Sequence, residues 1–96
     1  MPERIVRRKE FRELSEAILK LETPDECARF FRDLCTLPEL KAMTERFQVA
    51  KRVSTDETYR EIAKKTGAST TTVTRVAYWL HHGMGGYKLV LERMRQ

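Results

Sequence analysis

Five hydroxyl side chains, Ser69, Thr70, Thr71, Thr72 and Thr74, crowd six consecutive positions of this 96-residue chain, directly after Gly67-Ala68. Threonine is a mediocre helix former, so helix stability does not account for the cluster. At the N-terminus of a helix, short hydroxyls donate to phosphate oxygens, meet base edges directly or through water, and lay methyl groups against thymine. Helix capping explains Ser69 and Thr70 but not Thr71 and Thr74. Lys51, Arg52, Arg60, Lys64, Lys65 and Arg75 lie around the cluster, either as phosphate partners or as a solvated basic face. Thr70, Thr71 and Thr74 are therefore the expected base contacts, and Ser69, Arg60, Lys64 and Lys65 the expected phosphate contacts.

Positioning these groups requires a helix before the turn and a helix after it. The apolar residues recur at spacings of three and four rather than two, which predicts helices and no strands. A first helix is predicted over about Lys9–Leu21, with Phe11, Leu14, Ile18 and Leu21 as its apolar stripe. Thr23-Pro24-Asp25-Glu26 is a start signal for the second, carrying Ala28, Phe31 and Leu34 on one face with Cys27 and Phe30 beside them. Thr36-Leu37-Pro38-Glu39 opens a third over about Leu37–Val53, burying Leu40, Met43, Phe47 and Ala50. Thr55 and Thr58 compete as the cap of a short fourth helix through Tyr59, Ile62 and Ala63. Ser69 caps a fifth over about Thr70–His81, with Val73, Val76, Ala77 and Leu80 facing the core. Tyr87, Val90, Leu91 and Met94 mark a sixth.

The stretch 58–82 satisfies the requirements of a helix-turn-helix. Two helices crossing steeply need a small residue where they touch, and Ala63 provides it. The turn needs a residue tolerant of positive φ, and Gly67 provides that. An αα-hairpin with no nucleic-acid role is the plainer reading of the same pattern. Before the core, residues 1–8 form a basic arm with Arg4, Arg7 and Arg8, continued by Lys9 and Arg12. It either touches neighbouring phosphates or solubilises the end of the chain, since Glu3, Glu10 and Glu13 are interleaved.

Composition narrows the classes. Nineteen Lys and Arg against fourteen Asp and Glu give a net charge of +5, which favours a polyanionic partner through counterion release. The longest apolar runs are far short of the ~20 residues that span a bilayer, and no apolar leader follows Met1. A cytoplasmic location is expected. Ninety-six residues make one small domain, and pooling two such cores in a homodimer is the expected remedy for limited burial. Cys27 and Cys35, read as members of one helix, are separated by a rise of about 12 Å, too far for a disulfide. No metal site is expected, because no Cys-x-x-Cys spacing occurs and His81-His82 are the only other soft ligands. These histidines sit at a helix end, where the dipole alone accounts for them. No nucleophile stands near a base, and the glycines from Gly83 to Gly86 lack the Lys-Ser/Thr ending of a phosphate loop. An enzyme is not expected.

From about Phe30 to Met94, the residues Leu34, Thr36, Ala42, Arg46, Gly67-Ala68, Thr72-Val73-Thr74-Arg75 and Leu80 resemble the Trp repressor superfamily, most of all its YerC/YecD-type branch. The resemblance implies an all-α, six-helix, intertwined homodimer whose two helix-turn-helix units enter successive major grooves of a palindromic operator on double-stranded DNA. It further implies an effector pocket. In the Trp repressor two arginines sandwich the indole of the corepressor L-tryptophan; they fall on Arg46 and Arg75, and a pocket threonine falls on Thr72. Val76 and Trp79 stand where the tryptophan-binding pattern has Gly and Ser.

Helical spacing places Thr72, Val76 and Trp79 on one side of the fifth helix with Arg75 beside them. Trp79 is therefore expected either to fill the pocket itself or to serve as ordinary core or interface. The reading that results is a single DNA-binding domain over residues 1–96: a transcriptional regulator, of repressor type, working without L-tryptophan and without another cofactor. The alternative is a helical protein-interaction module that has kept the fold. Such a module would replace the polar residues of the recognition face with apolar ones, and Thr70, Thr71 and Thr74 are polar.

Overall fold

The computed structural model describes residues 4–5 and 8–95, and among them it contains six α-helices and no strand. They are α1 (Lys9–Ile18), α2 (Pro24–Leu34), α3 (Leu37–Val53), α4 (Tyr59–Thr66), α5 (Thr70–His82) and α6 (Gly86–Arg95). The chain divides into two compact units, Met1–Leu37 and Pro38–Gln96. Within the expected basic arm, residues 1–3 and 6–7 lie outside the described residues, and Arg4 and Arg8 are exposed.

In the first unit, α1 ends three residues earlier than its apolar stripe suggests. After Ile18 the chain tightens into i→i−3 bonds, Lys20 N to Ala17 O at 3.0 Å and Leu21 N to Ile18 O at 3.1 Å, as it turns toward the next cap. The start of α2 follows the sequence signal: Thr23 Oγ1 accepts from Glu26 N at 3.1 Å, Pro24 occupies the first turn, and Asp25 and Glu26 face the positive helix end. Its half-buried side is Cys27, Phe30 and Phe31, the two rings meeting edge-on at 5.7 Å. Ala28 and Leu34, expected on that side, are exposed. The cysteines do not share a helix either: Cys35 caps the C-terminus of α2 in an extended conformation, and both thiols are free and half-buried. Neither α1 nor α2 contains a buried residue.

The second unit holds the core. Val49, Ala50, Ile62, Ala68, Val73 and Val76 form one buried cluster, with Val53, Ala63, Tyr87 and Leu91 packed around it. On α3 the burial is concentrated near the C-terminus, at Val49 and Ala50, whereas Leu40 and Phe47 are half-buried and Met43 is exposed. The expected stripe omitted Val49 because it lies next to Ala50 and not a helical turn away from it. On α5 the four expected core residues, Val73, Val76, Ala77 and Leu80, are the buried ones.

Local chemistry sets the ends of α4 and α5. Thr58, not Thr55, is the cap of α4 and forms a full capping box: its hydroxyl accepts from Glu61 N at 3.1 Å while Thr58 N donates to Glu61 Oε2 at 3.4 Å. Thr55 instead closes α3, donating to Arg52 O at 2.7 Å. Gly67 ends α4 with φ +81°, the left-handed conformation that a side chain would strain. Gly67, Ala68 and Ser69 are the whole connection to α5, with Ala68 buried and Ser69 accepting from Thr72 N at 3.1 Å.

Gly83 ends α5 for a different reason. Its N–H donates to Trp79 O at 2.8 Å, and a Cβ built there would stand 2.5 Å from that same oxygen and 3.5 Å from Trp79 Cε3. Gly86, by contrast, has nothing within 4 Å of its Cβ direction. Gly83→Ala is therefore expected to cost about 1–3 kcal/mol by overpacking and to shift the emission of the single tryptophan. Gly86→Ala should do neither. Urea unfolding followed by tryptophan fluorescence distinguishes the two variants.

Candidate nucleic-acid interface

Because Val73, Val76, Ala77 and Leu80 face the core, helical geometry turns the opposite side of α5 outward. Thr70, Thr71, Thr74, Arg75, Tyr78 and His82 are all exposed there. The three hydroxyls expected to meet bases differ in their freedom. Thr74 Oγ1 donates to Thr70 O at 3.0 Å, which leaves its oxygen as an acceptor and its methyl group turned outward. Thr70 and Thr71 make no side-chain hydrogen bond among the described residues and keep both donor and acceptor. Thr72 is half-buried, pointing away from this face.

The expected phosphate partners separate into three situations. Arg60 and Lys64, four residues apart on α4, share an exposed face opposite the buried Ile62. Lys65, three residues after Ile62, lies on another flank and is drawn to Glu57 Oε2 at 3.5 Å. Ser69 commits its hydroxyl to the cap: it accepts from Thr72 N and donates to Thr72 Oγ1, each at 3.1 Å. What remains at that turn is the N-terminus of α5 itself, whose first N–H groups have no partner inside the helix and carry its positive dipole end.

The five residues expected to form a pocket do converge. Arg46, Thr72, Arg75, Val76 and Trp79 line one cleft of about 440 Å³, joined by Ala42, Glu45 and Tyr87. Arg46 comes from α3 and Arg75 from α5, and neither guanidinium is taken by a carboxylate among the described residues. Three of the lining residues, Ala42, Glu45 and Tyr87, were not foreseen as part of the pocket. Glu45 was within reach of sequence reasoning, since Ala42, Glu45 and Arg46 sit at i, i+3 and i+4 of one helix face. Tyr87 was not, because its place depends on how α6 folds back.

Trp79 lines this cleft and does not plug it. Its indole meets Tyr78 edge-on at 5.3 Å between ring centroids and leans toward Gly83, so that the residue is 58% exposed. Within the chain the indole stands as a wall of the cleft, with Cε3 3.5 Å from the Cβ direction of Gly83. A second, apolar groove of about 570 Å³ lies on the other side of Trp79 and Tyr87, lined also by Phe47, Met84 and Val90. Tyr78 and His82 stack at 4.8 Å, while His81 and His82 stand 6.5 Å apart with their planes at 70°. No group of three or more His, Cys, Asp or Glu among the described residues could hold a metal ion, and no described helix is long and apolar enough to cross a membrane.

Comparison with known proteins matches this architecture to one family. The family model described as Trp repressor protein matches residues 9–95. The uncharacterised protein YerC of Bacillus subtilis (strain 168) is 40% identical over 91 residues, covering 95% of this chain and 88% of YerC. The crystal structure of a TrpR-like protein from Eubacterium eligens ATCC 27750 superposes with a TM-score of 0.91 at 41% identity, over 97% of this chain and 96% of that one. A Trp-repressor-type protein from Staphylococcus aureus superposes with a TM-score of 0.92 at 41% identity, over 99% of this chain and 95% of that one. The all-α, six-helix fold expected from the sequence is the fold of these relatives. The chain belongs to the Trp repressor family, a family of DNA-binding regulators without enzymatic activity.

Proposed function

We propose that this protein is a sequence-specific transcriptional regulator of repressor type that reads a palindromic operator in the major groove of double-stranded DNA. The whole chain, 1–96, serves as one DNA-binding domain in the cytoplasm, with 58–82 as the helix-turn-helix and 1–8 as a basic arm. The observation that carries the reading is the outward face of α5. Thr70, Thr71 and Thr74 are exposed on the side of a helix whose opposite side is the core, so these hydroxyls are presented by a rigid element. Arg60, Lys64 and the N-terminal turn of α5 at Ser69 flank that face as phosphate contacts, and Lys65, drawn to Glu57, is not counted among them. Phosphate contacts fix the register and the hydroxyls then read the bases.

A homodimer is the working form. In the first unit, α1 and α2 are amphipathic yet contain no fully buried residue, and Leu34, Leu37, Leu89 and Val90 are exposed along the chain. A second copy supplies the missing cover and also sets two recognition helices at the spacing of successive major grooves. The cleft between Arg46 and Arg75 is the effector pocket if one operates. Val76 and Trp79 on its wall reshape it relative to the tryptophan-binding pattern, and the protein works without L-tryptophan.

Selection of bound duplexes from a randomised pool by the purified protein, at moderate salt and with no added ligand, tests the reading. Enrichment of a palindrome with half-sites about one helical turn apart is expected. Failure to enrich any sequence, with or without L-tryptophan, would overturn it in favour of a protein-interaction module. On the selected operator, Thr71→Ala should cost about 1–3 kcal/mol and relax preference at one position, leaving random DNA nearly unaffected. Lys64→Ala should instead weaken all duplexes alike and flatten the salt dependence by about one unit. Calorimetry with L-tryptophan should give no binding heat in the wild type; a saturable heat would sink the corepressor-independent reading.

A further inference from the structure

Two cations, Arg52 and Lys65, are already held by a carboxylate of the chain itself. Glu57 lies in the connection between α3 and α4, and its side chain is only 18% exposed. Its Oε1 is 3.0 Å from Arg52 Nη1, in the last turn of α3, and its Oε2 is 3.5 Å from Lys65 Nζ, in the last turn of α4. The loop that carries it is pinned at the backbone, Glu57 N donating to Thr55 Oγ1 at 3.2 Å while that hydroxyl donates to Arg52 O at 2.7 Å. Glu57 thus offers Arg52 and Lys65 the two-oxygen, anionic acceptor that a DNA phosphate would otherwise offer them.

The geometry on α4 gives this arrangement a direction. Arg60 and Lys64 project outward with no carboxylate partner among the described residues, whereas Lys65 is turned to the core flank where Glu57 waits. Of the three α4 cations, two are left for phosphate and one is not. Phosphate contacts raise affinity for every sequence and carry no base information, so a cation withheld from them lowers the sequence-independent part of binding.

We infer that Glu57 is a specificity-determining residue: it holds Lys65 and Arg52 in place of backbone phosphate and so limits the share of affinity that does not depend on sequence. This rests on the proposed DNA-binding function. In the operator complex the base contacts of α5 select one position along the sequence, and cations released at the edge gain little. On random DNA the protein is free to shift until those cations find phosphates.

The test compares the full-length wild type with Glu57→Gln, on the selected operator and on a random duplex of equal length, from about 50 to 200 mM salt. Expected for Glu57→Gln on random DNA is a salt slope steeper by about one to two units and, at the low-salt end, roughly tenfold tighter binding. The ratio of operator to random affinity should fall. Adding Arg52→Gln and Lys65→Gln to that variant should return the slope to the wild-type value. A Glu57→Gln protein that melts like the wild type but has an unchanged slope would overturn the inference. Should Glu57→Gln fail to fold, Arg52→Gln/Lys65→Gln in the otherwise wild-type chain decides. An unaltered slope is expected, because these cations do not reach phosphate, and a slope flattened by one unit or more would overturn the inference. Wild-type protein that binds no duplex would overturn the DNA reading itself, an outcome distinct from wild-type binding with an unchanged variant slope.

Discussion

The second unit depends on burying Ile62 against Val73 and Val76 across a three-residue connection. Ile62 and Val73 are wholly buried and belong to the cluster that also takes in Val49 and Ala50 from α3. For α4 and α5 to meet this closely, the chain has to reverse immediately after α4, and it does so through the left-handed Gly67. Once the inner side of α5 is committed to Val73, Val76, Ala77 and Leu80, its outer side is determined by the 3.6-residue repeat. The exposure of Thr70, Thr71 and Thr74 is thus a consequence of core packing, and so is the precision with which that face is held.

The hydroxyl-rich stretches serve two kinds of purpose, and the structure sorts them by hydrogen bonding. Thr55, Thr58, Thr66 and Ser69 direct their hydroxyls to the backbone at helix ends, and Thr58 and Ser69 there accept from N–H groups that a helix terminus leaves unpaired. Thr66 does so twice, donating to Ile62 O at 2.7 Å and accepting from Ala68 N at 3.3 Å. This backbone chemistry stiffens the ends of α4 and the start of α5, so that the remaining hydroxyls stand on a fixed support. Residues of one type, close together in sequence, therefore do local structural work at one position and face solvent at the next.

Charge is distributed with a similar division. A net charge of +5 draws the protein toward a polyanion, yet the cations are not equivalent. Arg60 and Lys64 project from the outer face of α4, Arg52 and Lys65 are gathered by Glu57, and Arg46 and Arg75 face the cleft. The exposed ion pair Arg29–Asp25, at 3.4 Å on a helix surface, belongs to none of these groups and contributes little. Cations so placed match a surface in which phosphate attraction, internal neutralisation and a ligand-sized cleft lie close together without sharing residues.

Much of this is legible in the sequence. The caps at Thr23 and Ser69, the stop at Gly67 and the core face of α5 follow from local chemistry and helical period, and each depends on residues within a few positions of one another. The convergence of Arg46, Thr72, Arg75, Val76 and Trp79 was reached through the family resemblance together with the helical spacing of α5. The burial of Val49, the exposure of Ala28, Leu34 and Met43, the choice of Thr58 over Thr55, the entry of Tyr87 into the cleft and the tilt of Trp79 toward Gly83 were decided by the tertiary structure. These share a physical reason. A helix period states which residues lie on one side, but which part of that side is covered depends on where other helices end and cross it, and those contacts join residues far apart in the chain.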